Sequence, residues 1–328
     1  MAFGYSINPF SKRNDDTGFG TSANNYGGRF INKDGTFNLT KTGQPFWKRT
    51  SVYYVLLNMP AWKFACLIFA SYFVINLCFT FLYLLVGADG LTGLKATHGF
   101  GRFLEVYFFS TETLTTVGYG RVNPVALGVN AIAALESLAG LLGLAVATGL
   151  IYGRFSRPKS FLAFSREAII APYKEGTALM FRLAAYKENH HLTNAEVTVN
   201  LGITVQGGKA PEFQFYSLPL ERARVDTLSM NWTVVHPIND ESPLNAFTAD
   251  DLKAVDAEVY VLVRGFDDIY SNMVQQRTSY TYQEIRFNVR FAPMYQESED
   301  GKTTIMQVDK LNDYVIVQEI PKTAQPTV

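Results

Sequence analysis

The sequence predicts an α+β membrane protein: two transmembrane helices, a short re-entrant helix between them, and a β-sandwich outside the membrane. Three observations lead there. Two apolar stretches, 64–86 and 122–152, are each long enough to cross a bilayer. Between them a shorter aromatic stretch, 103–115, runs directly into Thr116-Val117-Gly118-Tyr119-Gly120. Beyond Lys159 the chain becomes short alternating runs separated by Gly, Pro, Asn and Asp, the pattern of strands and turns.

Composition fits that division. The chain has 328 residues, 48% of them hydrophobic, and a net charge of zero, which leaves room for a membrane part and one soluble domain. The four histidines, His98, His190, His191 and His236, are scattered without zinc or triad spacing, so neither an enzyme nor a cofactor is expected. No Gly-rich nucleotide loop follows a strand, and no nucleic-acid partner is expected.

Taken in order, residues 1–40 are rich in Gly, Asn, Ser and Asp with no apolar period and are expected to be flexible. Residues 41–60 include FWKRTSVYYVLLN at 46–58, where apolar residues mix with Lys48 and Arg49. That suggests a slide helix in the membrane interface, with Trp47, Tyr53, Tyr54 and Trp62 at headgroup depth; an ordinary soluble helix is the alternative. The start of the chain lacks the build of a cleaved signal peptide, so the first span, 64–86, should insert the protein by itself. Its Cys66 and Cys78 stand about 18 Å apart along a helix and cannot bridge within one chain.

The stretch 103–115 is about three turns long, too short to cross. It reads as a re-entrant pore helix whose C-terminal dipole end favours a cation. In the loop that follows, Gly118 and Gly120 tolerate φ > 0 and let successive carbonyls turn the same way. This five-residue sequence is the known potassium-selectivity filter, so potassium follows from motif identity rather than from composition. The carbonyls of Thr116, Val117, Gly118 and Tyr119 are the expected potassium ligands. One pore loop per chain requires four chains around an axis, hence a homotetramer.

The second span, 122–152, carries a single ionisable residue, Glu136, a functional candidate by default; a hydrogen-bonded carboxyl supporting the pore helix is the alternative. Glu136, Gly140, Leu144, Thr148 and Tyr152 recur every four residues, and that stripe is expected to face the cavity. Gly140, Gly143 and Gly149 serve either as hinges or as close-packing positions. Lys41, Lys48, Arg49 and Lys63 precede the first span and Arg154, Arg157 and Lys159 follow the second. The positive-inside rule then places both termini in the cytoplasm.

Strands are expected at 177–183, 195–205, 213–220, 258–263, 285–291 and 314–318, with one short helix at 248–255 where Thr248 and Asp251 stand at capping-box spacing. Residues 61–158 thus form the pore domain and 159–328 the β-sandwich.

These parts resemble an inward-rectifier potassium channel of the prokaryotic type. The resemblance spans about residues 40–320 and rests on TETLTTVGYG at 111–120, GRFSRPK at 153–159, LMFRLA at 179–184, HPINDESPL at 236–244 and VLVRGFDDIYSNM at 261–273. It implies an immunoglobulin-like sandwich and a bacterial inner (plasma) membrane. It also implies that Glu112 sits behind the filter and pairs with an arginine after it. This chain has Val122 at the usual arginine position and Arg121 one residue earlier, so Arg121 either takes over that pairing or sits at the outer mouth. Tyr152 resembles the aromatic constriction at the inner gate, or else anchors the helix at the interface. Gly265 and Phe266 resemble the loop that narrows the cytoplasmic pore. Lys48, Arg49, Arg154, Arg157 and Lys159 resemble an anionic-phospholipid site, or reflect only the positive-inside signal. Where strongly rectifying relatives carry acids, this chain has Leu144 and Arg264.

Overall fold

The computed structural model describes residues 8, 10–14, 28–45, 51–188, 190–207 and 210–317. They fall into two compact units: residues 42–157, and the residues up to 41 together with those from 158 onward.

The first unit is helical. Helix α1 (Val52–Asn58) starts at Ser51, whose hydroxyl accepts Tyr54 N at 3.4 Å, an N-cap. Trp47, Lys48 and Arg49 lie outside the described residues. Helices α2 (Ala61–Val86) and α4 (Leu127–Phe155) have 26 and 29 residues, about 39 and 44 Å at 1.5 Å per residue, enough to span a bilayer. Between them α3 (Gly99–Leu114) has 16 residues and begins one turn earlier than the sequence suggested. The second span begins later than expected. Asn123–Pro124 pair with Leu91–Thr92 as a two-residue antiparallel ladder, because Pro124 lacks an N–H and disfavours helical geometry at the residue before it.

The second unit is a β-sandwich. One sheet runs β1 (Leu162–Phe164), β3 (Gly176–Ala185), β2 (Ala168–Tyr173) and β10 (Ile285–Phe287), with β7 (Asn231–Ile238) also on β3. The other runs β9 (Asn272–Thr281), β8 (Glu258–Asp267), β4 (Leu192–Gly207) and β5 (Ala210–Ser217), with β6 (Arg224–Leu228) also on β4. All pairings are antiparallel except β10 with β2. The alternation at 195–205 does what its period requires: Val197, Val199, Leu201 and Ile203 are buried against Leu179, Phe181 and Leu183 of the facing sheet. The single strand expected at 285–291 is split by Asn288, whose φ of +58° turns the chain out of one sheet and lets β11 (Val289–Phe291) pair with β12 (Tyr314–Ile316). Helix α5 (Ala249–Ala254) carries the Thr248–Asp251 capping box.

The N-terminal segment expected to be flexible through residue 40 is, over 28–41, part of this unit. Ile31 is buried, its carbonyl accepts Ser279 Oγ at 2.6 Å, and Lys33 Nζ donates to Arg166 O at 2.8 Å. Sparse but well-placed apolar residues, Phe30, Ile31 and Phe37, supply contact that composition alone hides.

Candidate pore site

Helix α3 ends at Leu114 and hands the chain to the Thr116–Gly120 loop, the candidate filter. Val117 N and Gly118 N both donate to Glu112 O, at 2.9 and 3.3 Å, so the first filter residues hang from the last turn of α3. Thr116, Gly118 and Gly120 have φ of +62°, +54° and +81°. Residues with φ > 0 thus alternate along the loop, the backbone condition for stacking carbonyls on one side. At the far end Asn123 Nδ2 donates to Gly120 O at 2.7 Å.

Arg121 does not pair with Glu112. Its Nη1 lies 3.3 Å from Glu105 Oε1 and donates to Gly93 O at 3.1 Å, while Glu105 also accepts Lys95 N at 2.7 Å. The reason is geometric. The chain runs along α3 and then doubles back through the filter, so a residue just past the filter returns to the level of the helix start. Glu105 stands seven residues, about 10 Å, nearer that start than Glu112. The Glu112 side chain makes no hydrogen bond or ion pair among the described residues.

Glu136 is not on the cavity stripe. Fully buried, it accepts the Tyr83 hydroxyl at 2.6 Å and the Ser110 hydroxyl, joining α4 to α2 and α3. Ser110 Oγ also lies 3.2 Å from Asn76 Oδ1, and Thr80 Oγ1 donates to Asn76 O at 2.7 Å. A buried carboxyl demands hydrogen-bond partners, and the pore helix supplies one. Sequence reasoning missed Asn76, Thr80, Tyr83 and Ser110. The signal was available: Asn76, Thr80 and Tyr83 recur at helical spacing in an otherwise apolar span.

The predicted stripe therefore splits. Gly140 packs against the end of α3, where an added Cβ would stand 2.0 Å from Leu114 O. Leu144, Thr148 and Tyr152 are exposed in the single chain, Leu144 at 67% and Tyr152 at 73%. Added Cβ atoms at Gly143 and Gly149 meet nothing within 4 Å.

At the C-terminal end of α4, Arg154 donates to Leu56 O and Met59 O at 2.6 Å each, and its guanidinium lies over the Phe64 ring. Arg157 donates to Asn58 Oδ1 at 2.7 Å. Both thus tie down the end of α1, using donors that the sequence reading assigned to lipid. Lys159 is exposed in the other unit.

Gly265 and Phe266 lie in strand β8, not in a loop. The pairing of β8 with β4 shifts register between Arg264 and Phe266, and a Cβ on Gly265 would come within 3.1 Å of Leu192 Cβ. The glycine fits a bulge and a close approach. The turn lies beyond it, where Asp267 accepts Ile269 N and Tyr270 N at 3.0 and 2.9 Å and lies 3.3 Å from His190 Nδ1.

Comparison with known proteins decides the assignment. Residues 162–327 match the profile of the inward rectifier potassium channel C-terminal domain. The chain belongs to the inward rectifier potassium channel family. It is 32% identical over 279 residues to inward rectifier potassium channel Kirbac3.1 of Paramagnetospirillum magnetotacticum, covering 84% of this chain and 92% of that protein. Human ATP-sensitive inward rectifier potassium channel 14 is 27% identical over 292 residues, 81% of this chain and 65% of that protein. Human inward rectifier potassium channel 18 is 26% identical over 263 residues, 73% of this chain and 59% of its own length. Inward rectifiers are membrane ion channels, and the two long apolar helices and the β-rich domain agree with that architecture.

Proposed function

We propose that four copies of this chain form a potassium channel of the bacterial inner membrane, with both termini cytoplasmic and the filter at Thr116, Val117, Gly118, Tyr119 and Gly120. The observation that carries this reading is the loop itself. Its left-handed residues alternate, and it is fastened at one end to Glu112 O and at the other through Asn123 and the Arg121–Glu105 pair. Carbonyl oxygens held in place by such fastenings can replace an ion's water shell. Glu136, Ser110 and Tyr83 hold α3 from behind.

Leu144, Thr148 and Tyr152, exposed in one chain, would line the central pore in four, with the Tyr152 rings closing its inner mouth by dewetting. Anionic lipid would act on Lys48, Arg49 and Lys159 and on the α1 end that Arg154 and Arg157 hold, at about 1 kcal/mol per basic group near the surface. Reconstituted protein should pass potassium and rubidium, exclude sodium and be blocked by barium. Equal sodium and potassium flux would sink the filter reading and leave a membrane-anchored binding module.

A further inference from the structure

The candidate filter has two ends, and different elements hold them. Its start hangs from α3 through Glu112 O. Its other end is Gly120, whose carbonyl accepts Asn123 Nδ2 at 2.7 Å. Fixing that carbonyl fixes the peptide plane after Gly120 and narrows the directions open to the Tyr119 carbonyl one residue earlier.

Asn123 is in turn held by the loop between α2 and α3, residues 87–98. Thr92 pairs with Asn123 in the two-residue ladder, and Thr92 Oγ1 donates to Asn123 O at 3.3 Å. Gly90 O accepts Val125 N and Ala126 N at 2.8 and 3.3 Å, and Leu91 and Val122 are buried in one cluster with Val106 and Phe109 of α3. Gly93 is what lets the two segments lie this close. Its φ is +87°, and an added Cβ would fall on Arg121 O, well inside any non-bonded distance. The Gly93 carbonyl also accepts Arg121 Nη1 at 3.1 Å. A side chain at position 93 would therefore push residues 121–123 away and draw the Asn123 amide off Gly120 O.

We propose that the loop between α2 and α3 sets the geometry of the filter at its Gly120 end, with Gly93 as the positioning residue and Asn123 as the group that transmits its position. The inference rests on the filter reading, and it makes selectivity depend on a residue outside both the pore helix and the filter.

The test measures the potassium-to-sodium flux ratio of the full-length protein in liposomes, a readout that a mere loss of folded channels leaves unchanged. Gly93→Ala should lower that ratio about tenfold or more, since an overpacked backbone must move. Asn123→Leu, which keeps the shape but loses the donor, should lower it roughly 2- to 10-fold, the weight of one hydrogen bond. Combined, the two should lower it by less than the product of their separate effects, because both release the same carbonyl. Thr97→Ala, at an exposed position elsewhere on the loop, should keep the wild-type ratio. If Gly93→Ala yields no folded channel, Thr92→Val takes its place: it is isosteric and lacks only the hydroxyl that donates to Asn123 O, and it should lower the ratio roughly 2- to 5-fold. A wild type without selectivity overturns the filter reading and this inference with it. A selective wild type whose ratio survives the loop variant or Asn123→Leu, or falls as far in Thr97→Ala, overturns this inference alone.

Discussion

The two units of this chain reach stability by opposite routes. In the sandwich, every residue of β3 from Ala178 to Ala185 is buried, because β4 covers one face and residues 289–311 cover the other. In the membrane unit, α2 buries only Phe64, Asn76, Thr80 and Tyr83, and α4 only Val129 and Glu136. A core that is complete within one chain is closed to water by its own side chains. Apolar helices left bare call for cover from outside the chain, which the proposed assembly would supply as lipid on one side and other copies on the other. The few residues that α2 and α4 do bury, among them Asn76, Thr80, Tyr83 and Glu136, are mostly polar and converge on the pore helix.

The contrast breaks most sharply under truncation. Leu201→Ala removes a fully buried side chain from between two sheets and should cost about 2–5 kcal/mol. Leu144→Ala, on an exposed position, should change stability by less than about 0.5 kcal/mol unless neighbouring copies pack on it. Denaturant unfolding of the full-length protein measures both, and a large cost for Leu144 would show that it packs between copies.

Next comes a close contact between the two helices α3 and α4 of the membrane unit. Gly140→Ala forces a Cβ onto Leu114 O and should shift the filter's anchor, lowering potassium flux about tenfold or more if relief costs 1–3 kcal/mol. Gly143→Ala, which meets nothing in its own chain, should leave flux near the wild-type value. Similar losses in both variants would make the close-packing assignment wrong.

Charge on the pore wall gives the third test. Leu144 offers no anion to a polyamine and Glu136 is turned away from the pore toward Ser110 and Tyr83, so block by internal spermine should be weak. Leu144→Asp should tighten it by about tenfold or more, through a field focused by low-dielectric walls. Glu136→Gln should leave block unchanged in patch recordings. Steep spermine block in wild type that Glu136→Gln removes would return Glu136 to the cavity.

The sandwich also predicts a pH dependence. His236 is buried, with Nε2 2.8 Å from Ser242 Oγ and Nδ1 2.6 Å from Pro219 O. Burial holds its pKa below the ordinary 6.5. The unfolded chain therefore takes up a proton near pH 6.5 that the folded chain refuses. Stability is fully present above that pH and declines as pH falls from 6.5 toward the depressed folded value. His236→Gln should flatten that part of the curve in thermal unfolding, and an unchanged slope would exclude His236 as its source.

How much of this was legible in the sequence depended on period and on chain reversal. Both spans and the 195–205 strand were readable because length and alternation are local properties. Strand β2 was not, since AIIAPY is buried on both faces and does not alternate. Strand β9 was hidden by the polar Gln275, Arg277 and Ser279 of its other face. The five-residue stripe on α4 was read as one environment, but Glu136 and Gly140 meet α3 whereas Leu144, Thr148 and Tyr152 are exposed in the single chain. No one-dimensional period contains that change.

The smallest expected effect concerns Arg121 and Glu105, where chain reversal misled the sequence reading. The family resemblance pointed to Glu112, nine residues from Arg121, and Glu105, sixteen away, carried no such signal. The loop geometry places Arg121 beside Glu105, in the first half of α3, instead. Arg121 is 45% exposed and Glu105 18% exposed at the side chain, so water screens the pair and its coupling should be small. A double-mutant cycle of Arg121→Gln and Glu105→Gln, read by thermal unfolding of the detergent-solubilised protein, should show that coupling and lose it at high salt. The matching cycle with Glu112→Gln should be additive. Coupling between Arg121 and Glu112, with none to Glu105, would mean that assembly of the four copies draws the arginine inward and re-forms the pair expected from the family.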